Sequence, residues 1–343
     1  MNYNRIVVIQ TAFLGDVIMS TPLIRALREV FSSAEIDVLT IPETSIIFKE
    51  CPYITNVLVF NKRKSWRKIV FFLELVFALR NRNYDLAISI QSSLTSSFLM
   101  LLGRIPIRVG FARQKLVTIP VTHERGLHVR ERYIYLMKPF SEKKFDLQTE
   151  IFWSNNEEQK ARKIVQQYRD DNEFLVGVAP GSVWNTKRWL KEYFATLLGL
   201  LEQDNIKIIL IGGGEDRLLC EEIIEKSNSN ALNLAGDLSV LESAAVIQKL
   251  DLMITNDSAP LHIANAVKTD VIAFFGPTVR RFGCYPYQSK DKMLEIDLYC
   301  RPCSKHGSKK CPEKHFRCMR EIKPEMVFEV IISHLKGKSN EKQ

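Results

Sequence analysis

The stretch 252–277, LMITNDSAPLHIANAVKTDVIAFFGP, carries the residues with the clearest chemical potential. A short apolar run that suits a buried strand ends at a polar turn, and a helix with a proline in its first turn follows. Such a turn directs backbone N–H groups and the positive end of a helix dipole at one point, where an anion binds, most simply a phosphate. Asp257 and His262 could then hold a ribose or a second phosphate. Alternatively, Asp257 or Ser258 only caps the helix and His262 is a packed core residue, and the motif alone favours neither interpretation.

Two more loops in the same half of the chain suit a nucleotide. The segment PGSVWNTKRW at 180–189 places small hydrogen-bonding residues and two cations ahead of a predicted helix, which could clamp a phosphate. The glycines at 212–214 would let a nucleotide approach the backbone, and Asp216 could accept hydrogen bonds from ribose hydroxyls. These glycines do not form a G-x-G-x-x-G fingerprint, so this loop is weak evidence by itself. Three such loops at one sheet edge together predict a nucleotide site.

A carboxylate also follows the first predicted strand. Asp16 stands in the first turn of a helix predicted to run to about Val30, directly after the strand 5–10 and beside the only glycine of the loop. This position, at the carboxyl edge of a parallel sheet, is typical of functional groups. An acid there is equally a favourable partner of the helix dipole, and the residues alone favour that simpler role.

Strands alternate with helices along most of the chain. Predicted strands cover 36–41, 57–60, 85–91, 108–111, 174–179, 207–211, 252–255 and 271–275. This alternation predicts an α/β fold built from doubly wound parallel sheets. The 343 residues exceed one ordinary core. We therefore predict an N-terminal domain over 1–155, a C-terminal domain over 156–336, and a disordered polar tail over 337–343.

The net charge of +9 is concentrated in the first half of the chain. Residues 1–150 hold 21 Lys and Arg against 13 Asp and Glu, or +8, which leaves 27 against 26, or +1, for the remainder. This asymmetry favours an acidic partner: a membrane surface, a phosphorylated substrate or nucleic acid. The motifs of RNA-binding modules are absent, so we expect no nucleic acid. A solvated basic face remains the simpler alternative.

No segment of the sequence suggests a membrane span or a signal peptide. The longest strongly apolar stretch, 69–79, is too short to cross a bilayer and contains Glu74, and the N-terminus leads directly into a predicted strand. We therefore expect a cytoplasmic protein.

Four of the seven cysteines form a cluster with the spacing Cys300-x2-Cys303-x7-Cys311-x6-Cys318. In a cytosolic protein such a set can close a structural zinc site, although the gap between the second and third cysteines is short for common zinc modules. An insertion of this size over 300–318 could also fold without metal.

The order of these motifs resembles glycosyltransferase family nine, the ADP-heptose:lipopolysaccharide heptosyltransferases, and in particular heptosyltransferase II. The resemblance rests on RIVVIQTAFLGDVIMSTPLIRAL at 5–27, PGSVWNTKRW at 180–189, LAGDLSVLESAAVIQKLDLMITNDSAPLHIANA at 234–266 and FFGPT at 274–278. It implies a GT-B architecture of two facing Rossmann-like domains. The C-terminal domain would bind the nucleotide sugar and the N-terminal domain the acceptor.

The resemblance also implies roles for single residues. Asp16 matches the family's catalytic aspartate, which would take the proton from the acceptor hydroxyl in an inverting transfer that needs no cofactor. Lys187 matches the lysine that stabilises the leaving ADP. The remaining donor-binding matches are Ser182, Thr186, Asp216, Leu238, Asp257, Ser258, Ala259 and His262. Ala259 departs from the glycine usual in the family, which leaves a related sugar nucleotide open.

The acceptor implied by the resemblance is the acidic inner core of a lipopolysaccharide precursor at the inner face of the inner membrane. We therefore expect a peripheral protein at that anionic surface. The candidate acceptor-binding residues are Lys62, Arg63, Lys64, Arg67, Arg113, Lys115 and Arg130. Alternatives are a GT-B enzyme acting on another sugar nucleotide or acceptor, such as an epimerase, and a non-catalytic binder of nucleotide sugars or polyanions.

Overall fold

The computed structural model describes residues 3–61, 68–170, 173–204 and 206–342. The chain divides into two compact units, 1–153 and 154–343, and each has its own parallel sheet. Every strand pair in both sheets is parallel. The prediction of an α/β fold with two doubly wound parallel sheets is therefore confirmed.

The sheet of the first unit has six strands in the order β3-β2-β1-β4-β5-β6. They are β1 (Arg5–Ile9), β2 (Glu35–Thr40), β3 (Asn56–Val59), β4 (Leu86–Ser89), β5 (Ile107–Phe111) and β6 (Ile119–Val121). The strand order reverses between β1 and β4, which are parallel neighbours: β2 and β3 lie on one side of this pair, and β5 and β6 lie on the other. In an open α/β sheet the crevice at such a reversal, beyond the carboxyl ends of the strands, is where ligands bind.

Within the described residues, five α-helices accompany this sheet: α1 (Leu14–Ile18), α2 (Thr21–Val30), α3 (Lys68–Asn81), α4 (Leu94–Leu102) and α5 (Val129–Ile134). The prediction of one helix from the first loop to Val30 was wrong, because the chain forms α1 and α2 separately. Pro22 lies in the first turn of α2. Proline lacks an N–H group and its ring collides with the carbonyl four residues earlier, so a continuous helix cannot pass through it.

The second sheet also has six strands, in the order β12-β11-β10-β7-β8-β9. They are β7 (Leu175–Ala179), β8 (Lys207–Leu210), β9 (Leu232–Asn233), β10 (Leu252–Asn256), β11 (Val271–Phe275) and β12 (Lys292–Glu295). Here the reversal lies between β7 and β10. The loops after β7, β8 and β10 therefore leave the same carboxyl edge, as the sequence predicts.

The helices of the second unit are α6 (Asn155–Tyr168), α7 (Lys191–Gln203), α8 (Arg217–Ser227), α9 (Val240–Ile247), α10 (Ala259–Ala266), α11 (Arg317–Arg320) and α12 (Pro324–Lys342). The core beside the sheet is built around Trp189, which stacks on Phe274 with 4.4 Å between ring centroids. This stack anchors the end of the loop after β7 to the centre of the sheet.

The C-terminal tail differs from its prediction, because α12 continues as a helix through Lys342. Lys338 donates to the backbone oxygen of Asp251 at 2.5 Å and pairs with Asp270 at 2.8 Å. These contacts tie the last turns to the unit, and they give the helix tertiary support that its polar sequence does not reveal. Among the described residues, no helix is both long enough and apolar enough to cross a membrane.

Candidate active site

A buried ion pair lies at the carboxyl edge of the second sheet. Lys187, in the loop after β7, places its Nζ 2.6 Å from Oδ2 of Asp257, which follows β10. Thr278 donates its hydroxyl to the same carboxylate oxygen at 2.7 Å. Asp257 is 6% exposed and Lys187 13% exposed. The ion pair holds the cation at a fixed position on the carboxyl edge of the sheet, where ligands such as phosphates bind in open α/β folds.

Asn256 fixes the loop that carries Lys187. Its side-chain Nδ2 donates to the backbone oxygen of Pro180 at 2.8 Å, and its Oδ1 accepts from the backbone N–H of Trp189 at 2.9 Å. Because Asn256 is fully buried at the end of β10, these bonds join both ends of the loop 180–189 to the neighbouring strand. Asn256 is not among the residues predicted from the sequence, although its place at a strand end within the Asn-Asp-Ser turn is a signal that could have identified it.

The cysteine-rich segment supports the same loop from the other side. The hydroxyl of Thr186 donates to the backbone oxygen of Ser308 at 2.9 Å and accepts from the Ser308 N–H at 2.8 Å. Gly307 has a φ of +96°, and a Cβ there would lie 2.7 Å from Cβ of Trp184. A side chain at 307 is therefore excluded by both strain and space. Thr186 thus positions Lys187, a role the sequence did not predict.

Ser182 is buried in the same loop, and its backbone oxygen accepts from Nε of Arg188 at 2.7 Å. Arg188 therefore braces the loop from within. The geometry brings Ser182, Thr186 and Lys187 together on one short segment, as the sequence predicts.

Asp216 packs against the glycines of two loops. Its Oδ2 accepts from the backbone N–H of Gly213 at 3.1 Å. A Cβ built on Gly181 would lie 2.2 Å from Oδ1 of Asp216, and one on Gly212 would lie 2.8 Å from its Cβ. Burial raises the pKa of the Asp216 carboxyl group. The glycines are therefore needed so that this carboxylate can reach the crevice between the loops after β7 and β8.

We expect Gly181→Ala to destabilise the protein by about 1–3 kcal/mol, because the added methyl group overlaps the Asp216 carboxylate. Gly199→Ala is the matched control. Gly199 lies inside α7, where the nearest atom to an added Cβ is 3.8 Å away. Alanine there should stabilise by up to about 1 kcal/mol. Urea unfolding of both variants measures the difference, and equal stabilities would show that Asp216 does not depend on this space.

His262 lies on α10 near the ion pair. The ring is buried, and this burial is the main reason why its pKa falls from 6.5 to about 4. The charge of Asp257 raises the pKa by a smaller amount, and the charge of Lys187 lowers it further. The imidazole is therefore neutral at physiological pH and can offer one donor and one acceptor. The ring is packed in the core and also lies close enough to Lys187 and Asp257 for their charges to shift its pKa. His262 can therefore be a core residue and a site residue at once.

This pKa predicts a loss of stability in acid. The unfolded chain binds a proton at His262 below about pH 6.5, whereas the folded protein resists it down to about pH 4. Above about pH 6.5 the protonation of His262 therefore does not affect the free energy of unfolding. Between about pH 6.5 and about pH 4 that free energy falls with decreasing pH, by about 3 kcal/mol in total. Urea unfolding at several pH values should show this extra loss in the wild-type protein relative to His262→Gln. Parallel curves for the two proteins would refute it.

The remaining predicted donor residues lie on the same edge. Ser258 precedes α10 in an extended conformation and makes no side-chain capping bond, so the capping interpretation fails for this residue. Ala259 is the first residue of α10 and its φ is negative. Its methyl group therefore requires no strained backbone. Leu238 is half-buried and directly precedes Ser239, the N-cap of α9.

In the first unit, Asp16 lies on α1 at the reversal between β1 and β4. Gln10 donates its Nε2 to the backbone oxygen of Asp16 at 3.1 Å, and the hydroxyl of Tyr133 lies 3.4 Å from Oδ1. Thr11 donates to Oε1 of Gln91 at 3.0 Å, which connects the loops after β1 and β4. The carboxylate is only partly buried. Its position is therefore fixed while a substrate hydroxyl can still approach it.

The candidate acceptor residues fall into three groups. Arg113 and Lys115 are exposed beside the buried Gln114, which bonds to Ser89 at the end of β4. Arg130 donates to the backbone oxygen of Leu147 at 3.1 Å and so also supports the structure of the unit. Four others lie outside the described residues: Lys62, Arg63, Lys64 and Arg67.

The clustered cysteines are free thiols. Sγ of Cys300 lies 3.9 Å from Nε2 of His315, and Cys318 is buried in the core, where burial raises its pKa to about 11. Within the described ranges, no three His, Cys, Asp or Glu residues are arranged to hold a metal ion. The predicted structural zinc site at Cys300, Cys303, Cys311 and Cys318 stays a prediction.

The sequence profile of glycosyltransferase family 9, described as heptosyltransferase, matches residues 72–315. Lipooligosaccharide heptosyltransferase 2 of Campylobacter jejuni serotype O:6 is 26% identical over 332 residues, covering 93% of this chain and 95% of that protein. A family 9 glycosyltransferase from Veillonella parvula superposes with a TM-score of 0.87 at 22% identity, with 98% of each chain covered. Escherichia coli ADP-heptose LPS heptosyltransferase II superposes with a TM-score of 0.79 at 22% identity, with 98% of this chain and 99% of that chain covered.

These structural likenesses show the fold, and the profile shows the family. The protein is an enzyme that belongs to glycosyltransferase family 9, the heptosyltransferases.

Proposed function

We propose that the protein transfers a heptose from ADP-heptose to the inner core of a lipopolysaccharide precursor, with inversion at the sugar. The observation that carries the proposal is the Lys187–Asp257 ion pair, buried at the crevice of the second sheet and braced by Thr278. The names of the relatives support the substrates, since they describe a lipooligosaccharide heptosyltransferase and an ADP-heptose LPS heptosyltransferase.

The second unit would bind the donor. Lys187 would contact the diphosphate and stabilise the negative charge that develops on ADP as the bond to the sugar breaks. The N-terminus of α10 presents backbone N–H groups to the same anion. Asp216, in its glycine-lined position between two loops, would accept hydrogen bonds from the ribose. Neutral His262 would donate to a phosphate or a sugar hydroxyl without adding charge.

Asp16 would act as the general base. As the acceptor hydroxyl attacks the anomeric carbon, its proton passes to the Asp16 carboxylate, and the bond from that carbon to the diphosphate oxygen breaks on the opposite face. The carboxylate also stabilises the positive charge that develops on the sugar ring. Gln10 holds the backbone of Asp16, and Tyr133 lies beside the carboxylate, so both would orient the base.

The acceptor would bind to the first unit, whose net charge of +8 over residues 1–150 suits an acidic, phosphorylated core. Arg113 and Lys115 are exposed at the carboxyl edge of its sheet, where they could contact phosphates. We also propose that the protein works as a peripheral protein at the membrane that carries this acceptor.

The test is transfer from ADP-heptose to lipopolysaccharide precursors truncated before the first heptose, after one heptose and after two, followed by mass spectrometry. The gain of one heptose mass on a single precursor is expected and would identify the acceptor. No gain on any precursor would refute the proposal, and a screen of other sugar nucleotides would then test the alternative donor that Ala259 leaves open.

A further inference from the structure

Helices α3 and α4 lie side by side on one face of the first sheet. Leu75, Val76 and Leu79 of α3 join Leu99 and Met100 of α4 in a single core against the strands. Arg80 links the two helices, since its Nε donates to the backbone oxygen of Leu102 at 2.7 Å. Each helix has therefore already buried one apolar side against the sheet.

The opposite sides of these helices are also apolar, and they are exposed. Ile69, Leu73 and Phe77 follow one another at intervals of four residues along α3, and Leu94 and Phe98 do the same along α4. Of the fifteen exposed large apolar side chains in the described part of the chain, eight lie on these two helices. They are Ile69, Val70, Leu73, Phe77, Leu94, Phe98, Leu101 and Leu102, which we call the α3–α4 face.

Such a face is unusual for helices that contact only water. A surface helix normally presents charged residues outward, whereas the outward side of α3 carries a single acid, Glu74. A contiguous apolar patch of this kind marks a surface that is covered by a protein partner or by a membrane. The two helices have 14 and 9 residues, and neither is long enough to span a bilayer. They can lie in a membrane surface without crossing it.

Positive charge accompanies the α3–α4 face. Arg80 lies in the last turn of α3, and the exposed Arg104 follows the end of α4. In the sequence, Lys62, Arg63, Lys64 and Arg67 immediately precede α3. The unit as a whole carries the excess of +8 counted over residues 1–150. A second copy of the chain on this face would bring two positively charged units together, and they would repel each other. An anionic lipid surface would instead attract such a unit.

We propose that the α3–α4 face docks the enzyme on an anionic phospholipid membrane, with its apolar side chains in the headgroup region and the neighbouring Arg80 and Arg104 among the lipid phosphates. The inference deepens the proposed function, on which it rests, because a lipid-anchored acceptor would then be met at the surface where the enzyme is bound. The partner is the lipid surface itself, and the contact is separate from the sugar acceptor.

The test is cosedimentation of the full-length protein with phosphatidylcholine vesicles and with mixed phosphatidylcholine–phosphatidylglycerol vesicles. The variants are Ile69→Glu and Leu94→Glu, whose side chains are 74% and 60% exposed. Leu218→Glu in the second unit is the matched control, since that side chain is 72% exposed. The wild-type protein should bind the anionic vesicles, and each face variant should lower the partition coefficient by about tenfold or more. The control should bind as the wild type does.

Heptose transfer to a deacylated, water-soluble acceptor should be unchanged in both face variants, which also shows that they fold. Equal vesicle binding by wild type and face variants would overturn the proposal, as would failure of the wild-type protein to bind anionic vesicles. A concentration-dependent dimer that Ile69→Glu abolishes, without vesicle binding, would instead assign the face to a second copy. If the wild-type protein binds vesicles through this face but transfers no heptose, the docking stands and the proposed function fails.

Discussion

Replacing Asp16 by Asn should lower kcat for heptose transfer by about 10³-fold, the scale expected for loss of a general base together with its electrostatic contribution. Asparagine keeps the size of the side chain, so the bond from Gln10 to the backbone and the contact with Tyr133 can persist. What is lost is the ability to accept the acceptor's proton. Initial rates with ADP-heptose and the acceptor identified by the precursor series measure the effect.

The affinity for the donor should not change in Asp16→Asn, because the residues proposed to bind it lie in the second unit. Calorimetric titration with ADP checks this point. Glu142→Gln, the same carboxylate-to-amide change at an exposed position of the first unit, is the control and should transfer at the wild-type rate. A rate for Asp16→Asn within about threefold of the wild type would remove Asp16 from the chemistry.

Lys187→Met should lower kcat by about 10²-fold to 10³-fold and also weaken ADP binding, because it removes the cation that faces the leaving diphosphate. The substitution has a structural cost as well. Asp257 is 6% exposed, and among the described residues Thr278 would remain as its side-chain partner. Removing one member of a buried pair leaves an uncompensated charge, which typically costs about 3–5 kcal/mol.

The double variant Lys187→Met/Asp257→Asn separates these two effects. It removes the unpaired charge, so most of the lost stability should return while transfer stays low. Urea unfolding and ADP titration on the single and double variants measure stability and affinity independently. Wild-type affinity and rate in Lys187→Met would exclude Lys187 from the donor site, and recovery of transfer in the double variant would show that the lysine acts only through the fold.

The sequence determined the central strands and the loops at their carboxyl ends. Strands buried on both faces read as continuous apolar runs, so the prediction for β11 agrees exactly with Val271–Phe275 and that for β10 differs by one residue. Because parallel strands end at one edge, the positions of Lys187, Asp216 and Asp257 on the edge of a single sheet followed from the order of the elements. Local patterns alone carry this information.

The short edge strands could not be predicted in this way. β6, β9 and β12 have three, two and four residues, and they are strands only because a neighbouring strand pairs with them. Likewise, α12 extends to Lys342 where composition predicts disorder. The contacts of Lys338 with Asp251 and Asp270 stabilise it, and such long-range contacts leave no periodic signal in the sequence.

The chemistry of the site shows the same division. Residue types and spacing made Asp257 and His262 candidates without excluding a structural role, since an acid beside a helix start can also be a partner of the helix dipole. The functional roles of Asp16 and Lys187 came from the resemblance to glycosyltransferase family nine. Only the tertiary structure decided that Lys187 pairs with Asp257, that Asn256 holds both ends of the lysine loop, and that Ser308, 122 residues away from Thr186, supports it. These contacts depend on how distant loops pack together, and packing between segments far apart in the chain is set by the whole fold and by no local pattern.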